Sequence, residues 1–103
     1  MEILSRTEEI ILLAIYKLND NAYGITVREK VQEFMDKQFS VGAIYVPLER
    51  LSEKGFLSSL ESDPTSERGG RRKRFYKLTS KGLKALKDIK ELNEKIWSGI
   101  VLN

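Results

Sequence analysis

At Gly55 the chain changes its hydrophobic period, and that change constrains its fold more than any other feature. Before it, apolar residues recur at helical spacing. After it, Phe56-Leu57-Ser58-Ser59-Leu60-Glu61 and Arg74-Phe75-Tyr76-Lys77-Leu78 are short and strand-like, and the stretch between them is polar and rich in Gly and Ser. They read as one β-hairpin with a long polar tip. Two strands of this length are not stable alone and must lean on helices, so the expected class is mainly α with a small β-hairpin.

The helices carry their own punctuation. Ser5-Arg6-Thr7-Glu8 has the S-x-x-E form of a capping box, and the run to Leu18 is apolar nearly all round, which predicts a central first helix. Asn19-Asp20-Asn21 and Tyr23-Gly24 are turn chemistry that ends it. Thr26-Val27-Arg28-Glu29 is a second capping box, and Val27, Val31, Phe34 and Met35 give the next helix its apolar face. Ser40 is the expected N-cap of a third helix, with Val41, Ile44, Tyr45, Leu48 and Leu51 apolar and Gly55 closing it. Pro47 falls either deep inside that helix or, if the helix begins near Ala43, close to its first turn. Thr79 or Ser80 caps a last helix running to near Leu102, roughly 35 Å at 1.5 Å per residue.

The chain has neither Cys nor His, which removes disulfides, thiol chemistry, the commonest metal ligand and the commonest general base. Glu49, Glu53 and Glu61 show no paired spacing for acid-base work, and no Gly-rich phosphate loop follows a strand. No catalytic residue, cofactor or metal is therefore expected. No apolar run approaches the ~18–20 residues of a membrane span, and the N-terminus lacks the pattern of a signal peptide, so a cytoplasmic location is expected.

Net charge is +3, but its distribution matters more than its sum. Arg68, Arg71, Arg72, Lys73, Arg74, Lys77 and Lys81 supply 7 positive charges between Arg68 and Lys81 with no acid among them, so the remainder of the chain is net −4. A short positive segment on an otherwise acidic protein points to a polyanion contact.

Second and third helices joined by a short connection and followed by a basic-tipped hairpin describe a winged helix-turn-helix. The chain resembles the PadR-like family of bacterial transcriptional regulators over essentially Leu4 to Leu86. The resemblance is carried by Ala22-Tyr23-Gly24-Ile25, by Ser40-Val41-Gly42-Ala43-Ile44-Tyr45, by Leu48-Glu49-Arg50-Leu51-Ser52-Glu53-Lys54-Gly55-Phe56, and by Arg68 through Thr79 in the wing. It implies a regulator, expected to be a repressor, that binds a pseudo-palindromic operator in double-stranded DNA as a homodimer. Residues 1–78 would form the DNA-binding domain and 79–103 the dimerisation helix, in one unit.

Candidate DNA-binding residues follow from both readings. Arg68, Gly69, Gly70, Arg71, Arg72, Lys73 and Arg74 form the wing, where cations meet phosphate or a narrow minor groove; the bland alternative is a solvated charged loop. Ser40, Val41, Gly42, Ala43, Tyr45 and Arg50 belong to the third helix, expected in the major groove. Tyr45 could equally be a core aromatic, and Arg50 could pair with Glu49 or Glu53. Tyr23 either packs or touches phosphate.

Leu86, Ile89, Leu92, Asn93, Ile96, Trp97 and Ile100 make the candidate dimer stripe, though a helix folded back on its own domain gives the same pattern. In some PadR-like regulators aromatic side chains at the dimer interface help bind flat hydrophobic effectors, which makes Trp97 an effector candidate, against ordinary interface packing. A reading of another class is a protein–protein module whose basic wing meets an acidic partner.

Overall fold

The computed structural model describes residues 3–62 and 73–103. Its elements are α1 (Arg6–Leu18), a 3₁₀ turn (Asn19–Asn21), α2 (Gly24–Met35), α3 (Val41–Glu53), β1 (Leu57–Glu61), β2 (Arg74–Leu78) and α4 (Ser80–Trp97). This is a mainly helical winged-helix arrangement. Of the wing candidates, Arg68, Gly69, Gly70, Arg71 and Arg72 lie outside the described residues.

The first capping box forms as its spacing predicts. Ser5 Oγ accepts from the Glu8 N–H at 3.1 Å, and Glu8 Oε1 accepts from the Ser5 N–H at 2.8 Å. Ile10, Ile11, Leu12, Ala14 and Ile15 are buried, so α1 is central; Leu13 and Tyr16 are the apolar side chains it leaves exposed. The five buried apolar side chains of α1 pack with Val27 and Val31 of α2, Ile44, Leu48 and Leu51 of α3, and Phe56 in one core cluster.

Three local expectations need correction. The Tyr23-Gly24 turn does not exist: the chain turns at Asn19, whose φ is +55°, and Ala22 and Tyr23 run extended into α2. That extension pairs with the hairpin, since the Tyr76 N–H donates to Ala22 O at 2.8 Å and Tyr23 bridges Phe75. Thr26 is not a cap but the third residue of α2, reaching back so that its Oγ1 accepts from the Tyr23 N–H at 2.9 Å. Phe34 and Met35 are exposed, because α2 turns its last turn away from the core; the Lys17 ammonium sits 5.4 Å from the Phe34 ring centroid.

The connection to α3 is held by side chains of α2. Arg28 Nε donates to Phe39 O at 2.7 Å and Gln32 Oε1 accepts from the Phe39 N–H at 2.9 Å, which fixes the angle at which α3 departs. Ser40 caps α3 as expected, its Oγ accepting from the Ala43 N–H at 3.2 Å, and Gly55, at φ 86°, ends the region in the left-handed conformation that glycine adopts without strain. Because α3 begins at Val41, Pro47 stands inside it, and the carbonyl that loses its i→i−4 donor belongs to exposed Ala43.

The strands pair antiparallel with Leu57 opposite Leu78, Ser59 opposite Tyr76 and Glu61 opposite Arg74. Thr79 then ties hairpin to helix: its N–H donates to Phe56 O at 3.1 Å, its hydroxyl donates to Gly55 O at 2.6 Å and accepts from the Gly82 N–H at 3.1 Å. The last helix stops at Trp97 rather than near Leu102, which shortens it to about 27 Å and leaves Ile100 outside it. The radius of gyration is 15.5 Å, larger than the ~13 Å of a compact chain of this length, and α4 is exposed from Asn93 onward.

Candidate nucleic-acid interface

Three elements converge beside the hairpin. The N-terminus of α2 brings Tyr23, Gly24 and Ile25, the outer face of α3 brings Tyr45, and β2 with the residue before it brings Lys73, Arg74 and Tyr76; together they line a groove of about 370 Å³. An adjoining depression of about 400 Å³ continues along α3 past Val46 and Glu49. Four of the residues singled out in the sequence, Tyr23, Tyr45, Lys73 and Arg74, therefore share one surface although they lie up to 51 positions apart.

Tyr45 lies at the surface of this groove. It is 39% exposed, not a core residue, and its ring lies over Gly24 so closely that a Cβ there would fall on the phenol. Gly24 thus supplies space for an aromatic ring, not a turn. Ser40, Val41, Gly42 and Ala43 are all exposed in the first turn of α3, and the Gly42 Cα faces open space. Val46, Glu49 and Arg50 extend that outer face. Arg50 pairs with neither Glu49 nor Glu53 among the described residues, so the helical salt bridge considered for it is not made.

The two cations at the base of the wing differ in kind. Arg74 donates to Glu61 Oε1 at 3.0 Å across the strands, and that contact, more than the nearby charges, raises its already high pKa. The basic segment contains no acid of its own, but the register supplies one. Lys77 has a weaker partner in Asp20, 3.9 Å away. Lys73 instead lies over an aromatic face, its Nζ 4.5 Å from the Tyr23 centroid, and the Tyr23 ring meets Phe75 edge-on at 5.4 Å and 69°. Tyr76 beneath the groove is buried, and burial pushes its phenol pKa up, with Arg74 opposing.

The stripe on α4 divides into two parts. Leu86 and Ile89, with Ala85, pack against the protein's own core, whereas Asn93, Ile96, Trp97 and Ile100 are exposed and Leu92 is half-buried between them. For its first half the intramolecular reading holds. A groove of about 550 Å³ between α1 and α4 is lined by Leu13, Tyr16, Leu83, Leu86 and Asn93 and does not include Trp97. Among the described residues no group of three acidic side chains could hold a metal, and no helix is long and apolar enough to cross a membrane.

A model of the transcriptional regulator PadR-like family matches residues 11–88. Among solved structures, a PadR-like transcription factor from Bacteroides fragilis is 29% identical at a TM-score of 0.70, with 86% of this chain and 84% of that one covered. A PadR family transcription regulator from Clostridium difficile is 25% identical at a TM-score of 0.70, covering 89% and 90%. RosR from H. salinarum, 22% identical at a TM-score of 0.73 over 95% of this chain and 81% of that one, shares the fold. Among curated proteins nothing matches.

Proposed function

Because the chain belongs to the transcriptional regulator PadR-like family, whose members are regulators and not enzymes, we propose that it is a repressor that binds a pseudo-palindromic operator as a homodimer. The observation that carries this reading is the meeting of the open outer face of α3 with the groove formed by Tyr23, Tyr45, Lys73 and Arg74. A helix face able to enter a major groove lies beside donors suited to the flanking phosphates.

In this reading residues 1–78 bind DNA and 79–103 pair two copies. Ser40, Val41, Gly42, Ala43 and Arg50 face base edges or the adjacent phosphates, Tyr23 and Tyr45 line the backbone path, and the basic wing follows it. Two such helices in a dimer stand about one turn apart on the duplex, roughly 34 Å. The exposed apolar residues Ile96, Trp97 and Ile100, with half-buried Leu92, support a second copy as the partner of α4. Trp97, the sole tryptophan of the sequence, would be the indole available to a flat hydrophobic effector at that seam. Repression follows from occupying promoter DNA in the cytoplasm.

The test is a mobility shift on DNA from the protein's own promoter at two salt concentrations. If each protomer neutralises about four phosphates, the dimer gives a log–log salt slope near −7. Binding that ignores salt, or no binding, overturns the proposal. Binding to an acidic protein that unrelated duplex DNA does not compete away would favour the protein–protein module instead.

A further inference from the structure

The groove contains an aromatic and cationic stack whose order matters: Phe75, then Tyr23, then Lys73. Tyr23 is held at its backbone and at its ring. Its own N–H is held by Thr26 Oγ1 at 2.9 Å, its backbone bridges Phe75, its neighbour Ala22 accepts from the Tyr76 N–H at 2.8 Å, and its ring and that of Phe75 stand edge-to-face at 5.4 Å. Lys73 is anchored at its backbone by Ser62, donating to Ser62 Oγ at 3.1 Å and accepting from the Ser62 N–H at 2.8 Å. Its ammonium then rests 4.5 Å from the Tyr23 centroid, with no carboxylate partner among the described residues.

We propose that Tyr23 is a positioning residue, which holds the Lys73 ammonium on its ring face so that the wing presents one cation already aimed at a DNA phosphate. The inference rests on the DNA-binding reading above and adds to it a division of labour at the wing base. A free lysine side chain samples many rotamers, and ordering it on binding weakens the complex; an aromatic face orders it beforehand without neutralising it. The ring attracts the cation through its quadrupole, so the ammonium keeps its full charge and its outward N–H donors for phosphate. Arg74, one residue on, already shares its guanidinium with Glu61 and so brings a partly compensated charge to phosphate. Lys73 is the uncompensated, preset contact and Arg74 the shared one.

The experiment is a double-mutant cycle on promoter-duplex affinity, with Tyr23→Leu, Tyr23→Phe and Lys73→Ala singly and combined. Tyr23→Leu removes the ring face and is expected to weaken binding about two- to fivefold, the range of an exposed cation–π contact, with no further loss when Lys73 is already Ala. Tyr23→Phe keeps the ring and is expected to keep the coupling to Lys73. Proton shifts of the Lys73 side chain in the free protein give a second readout that does not depend on DNA: the upfield ring-current displacement is expected in wild type and Tyr23→Phe and lost in Tyr23→Leu. Additive effects of Tyr23→Leu and Lys73→Ala, a Tyr23→Phe that loses the coupling, or unshifted Lys73 protons in wild type each overturn the positioning role. If wild type itself shows no salt-dependent binding to duplex, the DNA reading falls and this role falls with it; if wild type binds and the cycle is additive, only the positioning role falls.

Discussion

The Tyr45 phenol occupies the space where any side chain at Gly24 would begin. Gly24 is the first residue of α2 and buried, and Tyr45 comes from the first half of α3, so this contact sets how closely the two helices of the helix-turn-helix approach at the groove. The absent Cβ leaves room for the ring in the groove it lines with Tyr23 and Arg74.

Gly24→Ala is therefore expected to displace Tyr45 from the groove. The added methyl is compatible with the helix, so the loss comes from overpacking, about 1–3 kcal/mol at most, and from the moved phenol. Urea unfolding of Gly24→Ala in a Tyr45→Ala background checks the cause, because the penalty should then vanish. Duplex affinity should drop in Gly24→Ala even where most of the protein remains folded.

A second close approach supports the hairpin from the other side. A Cβ on Gly82 would collide with the Phe56 carbonyl and stand 2.9 Å from Leu78 Cδ2, and the carbonyl is backbone that cannot swing away as a phenol can. Gly82→Ala is expected to destabilise by about 2–3 kcal/mol, the upper part of the overpacking range, and no single side-chain deletion should rescue it. Thr79→Ala, which removes the α4 cap and the bond to Gly55 O, is expected to lose about 1–2 kcal/mol. Both are read from the shift in urea midpoint at constant slope.

Much of this was legible in the sequence because it is local. Ser5 with Glu8, Ser40 with the α3 N-terminus, and Gly55 after α3 each act within a few residues, and the change of period at Gly55 located the hairpin. What was not legible depends on residues far apart in the chain. The pairing of Ala22 and Tyr23 with β2 is made by backbone groups and leaves no side-chain period, so Tyr23-Gly24 looked like a turn. The acid that neutralises Arg74 became apparent only with the strand register, which sets Glu61 opposite it. The α4 stripe had one period, but only its first half meets the core, and only the position of the core separates Ile89 from Ile96.

The buried Tyr76 gives a pH signature. Burial raises its pKa above the usual value of about 10, so the folded state holds the phenol proton more tightly than the unfolded chain does. Stability from this group is complete below about pH 10 and declines as pH rises from there through the folded-state pKa. Tyr76→Phe should flatten that decline. In an ultraviolet titration one tyrosine should ionise late and disappear with this variant. Arg74→Ala should delay it further, because the guanidinium favours the phenolate.

The two halves of α4 predict opposite outcomes for one chemical change. Ile89 packs against the protein's own core, so Ile89→Ala is expected to destabilise the protomer by about 1–3 kcal/mol, below the range of a fully buried site because Ile89 is only partly buried. Ile96 and Trp97 are 57% and 54% exposed, so truncating them removes little from the protomer. If a second copy covers them, Ile96→Asp combined with Trp97→Ala should convert a dimer to a monomer in light scattering while far-ultraviolet circular dichroism is retained. Operator affinity should then fall steeply, since two half-sites are no longer bound as one, and the midpoint of binding should depend on protein concentration. A double variant that remains dimeric would place the pairing surface on α1 and the first half of α4, where Leu13, Tyr16 and Leu83 are the exposed apolar side chains.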